Sequence, residues 1–87
     1  MAEGARRYVY APRMSPAELS TAMNDLDLTA WHLSWLTGIS AKRIRRMLTG
    51  EPGFDVPVIL HSALWVWQRD HAALRLASDF ARAHTEG

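Results

Sequence analysis

The feature that most restricts the fold of this chain is a series of helix start and stop signals. Ser15 is a suitable N-cap, Pro16 occupies the first helical position, and Glu18 follows three residues after the cap, which is the pattern of a capping box reinforced by proline. Apolar residues then recur at the spacing of one buried helix stripe: Leu19, Ala22, Met23 and Leu26. The sequence therefore predicts an amphipathic helix that begins after Ser15.

Two shorter segments carry the same signals. Thr29 is a suitable N-cap for a helix that ends at Gly38, and Ser40 is a suitable N-cap for a helix that ends at Gly50. The inner faces of these helices are expected to be formed by Leu33, Leu36, Ile44, Met47 and Leu48. Because the connection is so short, the two helices are predicted to form a helix-turn-helix supersecondary unit.

The C-terminal third is predicted to be helical after a loop, "GEPGFDVP", that is rich in glycine and proline. Asp55 is a candidate N-cap for a helix that begins at Val56. One apolar face comprises Ile59, Leu60, Ala63, Leu64 and Trp67, and a second comprises Ala73, Leu74, Ala77, Phe80 and Ala81. Because the second face is rotated by roughly 80° from the first, a break or bend is predicted near residues 68–71, with one long wrapped helix as the alternative.

Composition sets the size class. The 87 residues, of which 48% are hydrophobic, suit one globular domain that buries about 60 to 65% of its unfolded surface. Because such a small domain is only modestly stable, a partner or a dimer is expected. The chain has no cysteine, which excludes a disulfide framework and a thiolate zinc site and favours a reducing cytoplasm.

Membrane, metal and catalytic signatures are not evident. The longest apolar run, residues 56–60 with Pro57 inside it, is far shorter than the roughly 18 residues of a membrane span. Residues 1–14 lack the apolar core of a signal peptide. The four histidines are not spaced as metal ligands, and no catalytic triad or phosphate loop stands out. The chain is therefore expected to be neither an enzyme nor a cofactor-binding protein.

The positive charge of the chain is concentrated in one predicted helix. The formal net charge is only +1, yet Lys42, Arg43, Arg45 and Arg46 lie within residues 40–50, where no acidic residue occurs. A run of like charges is usually a solvated helix face. The low net charge also argues against a generic nucleic-acid-binding tail, so the context of the run has to decide its role.

That context is a set of apolar, small and glycine positions within residues 28–50. They are Leu33, Ser34, Leu36, Gly38, Ile39, Ser40, Ile44 and Gly50. At this spacing the segment resembles the helix-turn-helix of the lambda-repressor-like (Cro/C1, XRE) family of small bacterial and phage repressors. The residue chemistry agrees, because Ser34 is small where the helices cross, Gly38 permits a left-handed turn and Ile44 fills the angle between the helices.

The resemblance implies an all-α, lambda-repressor-like helical bundle with a helix-turn-helix and a C-terminal helical dimerisation region. Residues 1–14 would form an N-terminal arm, residues 15–55 the helix-turn-helix core, and residues 56–87 a C-terminal helical region that completes the core and dimerises. The implied function is that of a sequence-specific transcriptional regulator, an autoregulating repressor that binds a palindromic operator in double-stranded DNA.

The resemblance also assigns roles to the helix of residues 40–49, which would lie in the major groove. Ala41, Lys42 and Arg46 occupy the base-facing positions, where Lys and Arg suit guanine and Ala41 suits a thymine methyl group. Contacts with phosphate are expected from Thr29, Ser40, Arg43 and Arg45, with further basic residues in the arm at Arg6, Arg7 and Arg13.

The sequence departs from the family pattern at several positions. Ala30 stands where a glutamine that holds a phosphate or base is common, and Glu51 and Asp55 stand in a loop that is often basic. That loop is therefore not expected to contact phosphate. Trp31 and Trp35 are unusually large for this unit, and either core packing or an aromatic wall beside the DNA backbone would account for them.

The C-terminal region contains the expected dimer contact. Trp65 and Trp67 lie about 200° apart on a helix, so both cannot face one core. Exposed aromatic residues mark interfaces, and a homodimer interface is expected to include Trp65 or Trp67, Leu76 and Phe80. The alternative is an antitoxin or adaptor whose Trp-rich C-terminal helices bind a different protein and whose helix-turn-helix is partly vestigial.

Overall fold

The computed structural model of the chain describes residues 13–86. These residues form five α-helices and no strand: α1 (Pro16–Asp25), α2 (Ala30–Thr37), α3 (Ala41–Thr49), α4 (Val58–Arg69) and α5 (His71–Glu86). The prediction of an all-α fold is confirmed for these residues. The predicted N-terminal arm, including Arg6 and Arg7, lies outside the described residues except for Arg13 and Met14.

The predicted N-caps of the first three helices are confirmed. The Ser15 hydroxyl accepts from the Glu18 backbone N–H at 3.1 Å while the Ser15 backbone N–H donates to Glu18 Oε1 at 2.9 Å, which completes the capping box. The Thr29 hydroxyl accepts from the His32 N–H at 3.0 Å, and the Ser40 hydroxyl accepts from the Arg43 N–H at 3.2 Å. Each cap satisfies a backbone donor that the first helical turn leaves unpaired.

The turn between α2 and α3 depends on a left-handed residue. Gly38 ends α2 with φ 79°, and its N–H donates to the Ser34 carbonyl at 2.8 Å. A side chain at this φ would be strained, which explains the glycine. α3, the helix that carries the basic residues, directly follows this turn and packs against both α2 and α1.

The core lies where α1, α2, α3 and α4 meet. Leu19 from α1, Leu33 from α2, Ile44 from α3 and Leu64 from α4 are essentially inaccessible to solvent. α5 closes the bundle by packing on α4 and α2, and the Trp35 indole N–H on α2 donates to the Thr85 hydroxyl on α5 at 3.0 Å. The full set of buried apolar residues is Leu19, Ala22, Met23, Leu26, Leu28, Leu33, Ile44, Met47, Leu60, Leu64, Trp67 and Ala81.

The start of α4 differs from the prediction. The helix begins at Val58, with Pro57 as its N-cap at ψ 146° and no side-chain cap. A residue that precedes proline is disfavoured in the α region, so Val56 does not begin the helix and Asp55 does not cap it. The predicted inward orientation of Ile59 is also wrong, because this side chain is 78% exposed.

α4 and α5 are two helices, as the rotated apolar face predicted. Asp70 separates them with an extended backbone, φ −140° and ψ 90°. Its carboxylate Oδ1 accepts from the backbone N–H groups of Ala72 at 3.1 Å and Ala73 at 3.4 Å, so one side chain caps the start of α5. Within residues 13–86 no helix has the length and apolar character needed to cross a bilayer.

Candidate nucleic-acid interface

α3 places its apolar and basic side chains on opposite faces. Ile44 and Met47 are buried against the bundle, and Leu48 is half-buried. Lys42, Arg43 and Arg45 are exposed on the outer face. Ile44, Met47 and Leu48, at i, i+3 and i+4, set the inner face, so Lys42, Arg43 and Arg45 project outward.

Three of the four basic side chains on α3 are uncompensated. Among residues 13–86 the ion pairs are Arg13 with Asp55, Arg46 with Glu51, and Arg82 with Asp79. Lys42, Arg43 and Arg45 have no acidic partner in this part of the chain. An exposed helix face with several uncompensated positive charges attracts polyanions and holds them through contacts with phosphate.

Arg46 differs from these three residues. Its Nε lies 3.3 Å from Glu51 Oε2, and its guanidinium carbon lies 5.1 Å from the centre of the Phe54 ring. The side chain is 41% exposed, so part of the guanidinium still faces solvent. Ala41, the third predicted base-facing residue, is half-buried at the start of α3.

Thr29 and Ser40, the predicted phosphate ligands at the starts of α2 and α3, are both exposed. Their hydroxyl oxygens already accept the capping hydrogen bonds. A hydroxyl that accepts through its oxygen retains one O–H donor. Both hydroxyls can therefore still donate their O–H to a phosphate oxygen.

The two tryptophans of α2 have different environments. Trp35 is half-buried, tilted against His32 with ring centroids 5.8 Å apart, and hydrogen-bonded to Thr85. Its position is explained by packing between α2 and α5. Trp31 is 74% exposed, so burial in the core does not account for its size.

The predicted dimer residues do not all lie on the surface. Trp65 is 52% exposed, whereas Trp67 is 9% exposed and belongs to the core. The assignment of Trp67 to a dimer interface is therefore wrong, because the face of α4 that meets α1 carries Leu60, Leu64 and Trp67 together. Leu76 and Phe80 on α5 are exposed, as predicted.

Exposed apolar residues on α4 were missed by the sequence analysis. Val58 and Val66 are exposed, and together with His61, Ser62 and Trp65 they line a shallow apolar groove. Their spacing of i, i+3, i+4, i+7 and i+8 is a helix stripe in its own right. The signal was present in the sequence, but the face of α4 that turns inward had to be known to recognise it.

The residues described between 13 and 86 contain no cluster of three or more potential metal ligands. The chain matches no protein-family model, and it matches neither a curated protein nor a solved structure. The arrangement of the exposed basic face of α3 beside the α2–α3 turn is therefore the main guide to function.

Proposed function

We propose that this protein is a sequence-specific DNA-binding regulator of transcription that uses α2 and α3 as a helix-turn-helix of the lambda-repressor-like type. The observation that carries the proposal is the outer face of α3, where Lys42, Arg43 and Arg45 are exposed without an ion-pair partner in the described chain. The capped turn at Gly38 and the buried Ile44 support it, because they fix α3 on the bundle as a rigid element.

In this proposal α3 lies in the major groove. Lys42 and Arg46 donate to guanine edges, and Ala41 contacts a thymine methyl group. Arg43 and Arg45 neutralise phosphates on either side of the groove, and the hydroxyls of Thr29 and Ser40 donate to phosphate oxygens. The protein acts in the cytoplasm without a cofactor and without catalysing a reaction.

The regulator is proposed to act as a homodimer on an inverted repeat, as an autoregulating repressor. One recognition helix contacts only a few base pairs, and a two-fold dimer doubles the information that is recognised. Trp65, Leu76 and Phe80 supply exposed apolar surface for the dimer contact.

The test is selection of double-stranded DNA from a library with about 20 randomised base pairs, two turns of the duplex, followed by affinity measurements on the selected sequence. Lys42→Ala and Arg46→Ala are each expected to cost about 1 to 3 kcal/mol and to relax preference at individual base pairs. Arg43→Ala is expected to weaken binding to all sequences alike.

Arg75→Ala is the matched control, since Arg75 is an exposed arginine on α5, and its removal changes the net charge by the same amount. It is expected to leave selection unchanged. Absence of any enriched sequence with the unsubstituted protein would contradict the proposal.

A second candidate function is that of an adaptor or antitoxin that binds another protein. The apolar groove on α4 favours it, because exposed apolar surface of this kind is typical of interfaces. An adaptor would bind its protein partner and would enrich no DNA sequence, so the same selection experiment separates the two functions.

A further inference from the structure

Arg46 is held by the two ends of one tight turn. Residues 51–54 read Glu-Pro-Gly-Phe, and the Phe54 N–H donates to the Glu51 carbonyl at 3.1 Å. Pro52 and Gly53 occupy the middle of the turn, with φ 86° at Gly53, which is the pattern of a type II turn. The turn therefore brings the side chains of Glu51 and Phe54 to the same arginine.

The end of α3 fixes this turn relative to Arg46. The Glu51 N–H donates to the Arg46 carbonyl at 3.1 Å and the Gly50 N–H donates to the Met47 carbonyl at 3.2 Å, with φ 73° at Gly50. These are the two hydrogen bonds of a Schellman motif. Arg46 and Glu51 are thus joined through both backbone and side chain.

Helix stability alone does not explain the acid at this place. An acidic residue beyond the C-terminus of a helix faces the negative end of the helix dipole, which disfavours it. An exposed ion pair such as this one, with side chains 41% and 45% exposed, contributes little to folding. Its consequence is local, because it restricts where the guanidinium of Arg46 lies.

We infer that Glu51 and Phe54 are positioning residues that set the base specificity of Arg46, an inference that rests on the proposed function. Glu51 Oε2 lies beside the Nε of the guanidinium, and the guanidinium carbon lies over the Phe54 ring. The guanidinium carries five donors in a rigid fork. The terminal N–H groups left over are the pair that a guanine O6 and N7 accept from in a bidentate contact.

The three other basic residues of α3 have no such restraint in the described chain, so each must lose side-chain freedom when it binds. The contacts with Glu51 and Phe54 reduce that freedom for Arg46 in the free protein. A side chain held in its bound conformation contributes more to affinity, because less entropy is lost on binding. It also contributes more to discrimination, because it cannot reorient towards another base. Phosphate contacts tolerate several geometries, whereas a bidentate base contact does not, so restraint is of use at the base-facing position.

The experiment compares Glu51→Gln with Asp55→Asn in the full chain. Both substitutions remove one negative charge from the loop after α3, but Asp55 faces Arg13 at 3.9 Å and not Arg46. Two DNA duplexes serve as probes. One is the sequence selected from the randomised library. The other is the same duplex with a substitution at the base pair for which Arg46→Ala loses its preference.

Both variants are expected to bind all DNA more tightly, because a repulsive charge is lost. Only Glu51→Gln is expected to reduce discrimination at the Arg46 base pair, by about fivefold. Phe54→Leu, which keeps an apolar residue against the core, is expected to give a smaller reduction at the same base pair and none elsewhere.

A second readout requires no DNA. In the NMR spectrum of the free protein, the Nε–Hε signal of Arg46 is expected to be that of an ordered side chain, distinct from the averaged signal of Arg43. In Glu51→Gln the Arg46 signal is expected to become averaged like that of Arg43. In Asp55→Asn it is expected to stay as in the unsubstituted protein. An Arg46 signal already as averaged as that of Arg43 in the unsubstituted protein would overturn the inference.

Other outcomes separate the inference from the function. If Arg46→Ala relaxes the base preference but Glu51→Gln discriminates as well as Asp55→Asn, Glu51 does not position Arg46 and only the function stands. If Glu51→Gln discriminates better than Asp55→Asn, Glu51 competes with DNA for Arg46 and the inference is overturned. If the unsubstituted protein enriches no sequence, the proposed function and the inference both fail.

Discussion

Two isoleucines show how strongly the environment of a residue decides its contribution to stability. Ile44 on α3 is fully buried, and Ile59 on α4 is 78% exposed. Ile44→Ala is expected to lower the free energy of unfolding by about 2 to 5 kcal/mol, because it removes buried methyl groups and leaves a cavity. Ile59→Ala, the matched control, is expected to change it by no more than about 0.5 kcal/mol. Urea denaturation of both variants measures the difference, and equal effects would contradict the packing of α3 and α4.

Residues whose role is local could be predicted from the sequence. The caps Ser15, Thr29 and Ser40 and the glycines after α2 and α3 depend on neighbours within a few residues. Ile59 could not be placed, because its orientation depends on the face of α4 that meets α1. The same reason left open which of Trp65 and Trp67 is buried.

The contacts of Arg46 could be predicted only in part from the sequence. Glu51 directly follows the glycine that ends α3, so the Schellman geometry that joins it to Arg46 follows from local sequence. The approach of Phe54 depends in addition on the turn at Gly53 and on packing of Phe54 against the core. In the sequence Glu51 stands out only as an acidic residue in a loop that is often basic, and its contact with Arg46 was not predicted.

At the level of elements, the stability of the first turn of α1 is expected to depend on pH. The pKa of Glu18 is lowered, first by the hydrogen bond from the Ser15 backbone N–H and then by the Ser15 hydroxyl. Because the folded pKa lies below the unfolded one, the stabilisation is complete above the ordinary glutamate value of 4.5 and is lost as the pH falls through the lower folded pKa.

Glu18→Gln is therefore expected to make stability less dependent on pH below that value and to lower stability at neutral pH. Thermal unfolding between neutral and acidic pH measures both effects, with Glu51→Gln as the control, since Glu51 lies outside the capping box. A Glu18→Gln profile parallel to that of the unsubstituted protein would show that the capping box does not couple to titration.

The junction between α4 and α5 depends on one side chain. Asp70→Ala removes the side-chain acceptor of the Ala72 N–H and the weaker of two acceptors of the Ala73 N–H, which also donates to the Asp70 carbonyl at 3.1 Å. The substitution is expected to cost about 1 kcal/mol. Asp70→Asn keeps an acceptor oxygen at the same place and is expected to retain most of the stability. Chemical denaturation measures both variants, and equal losses would mean that the charge of Asp70, not its hydrogen bonds, stabilises the junction.

The elements themselves were largely predictable, and their boundaries less so. The sequence predicted the first three helices and a helical C-terminal region with a break or bend near Asp70, because cap signals and apolar periodicity are both local. The start of α4 was misplaced by two residues because Asp55 resembles a cap, while the restriction that Pro57 places on Val56 was not weighed. Which faces meet across the bundle required the packed structure.

At the scale of the whole molecule, α5 is part of the core and not an appendage. Leu74 and Ala77 pack against the central cluster and Ala81 is buried. Deletion of α5 would therefore expose the core and could not separate a dimer contact from folding. The proposed dimer is better tested by substitutions on the surface of the intact chain.

Trp65→Ser and Phe80→Ser test that surface. Each replaces an exposed aromatic residue of the proposed interface, and each is expected to shift a dimer towards monomer in sedimentation experiments, because apolar area buried between the two copies is lost. Trp31→Ser is the matched control, since Trp31 is an exposed tryptophan on α2, outside the proposed contact. Loss of the dimer should also weaken binding to the inverted repeat more than to a single half-site, because only the repeat requires both copies. An unsubstituted protein that sediments as a monomer at micromolar concentration and binds one half-site tightly would contradict the dimer and would favour a different protein as the partner of the apolar surface.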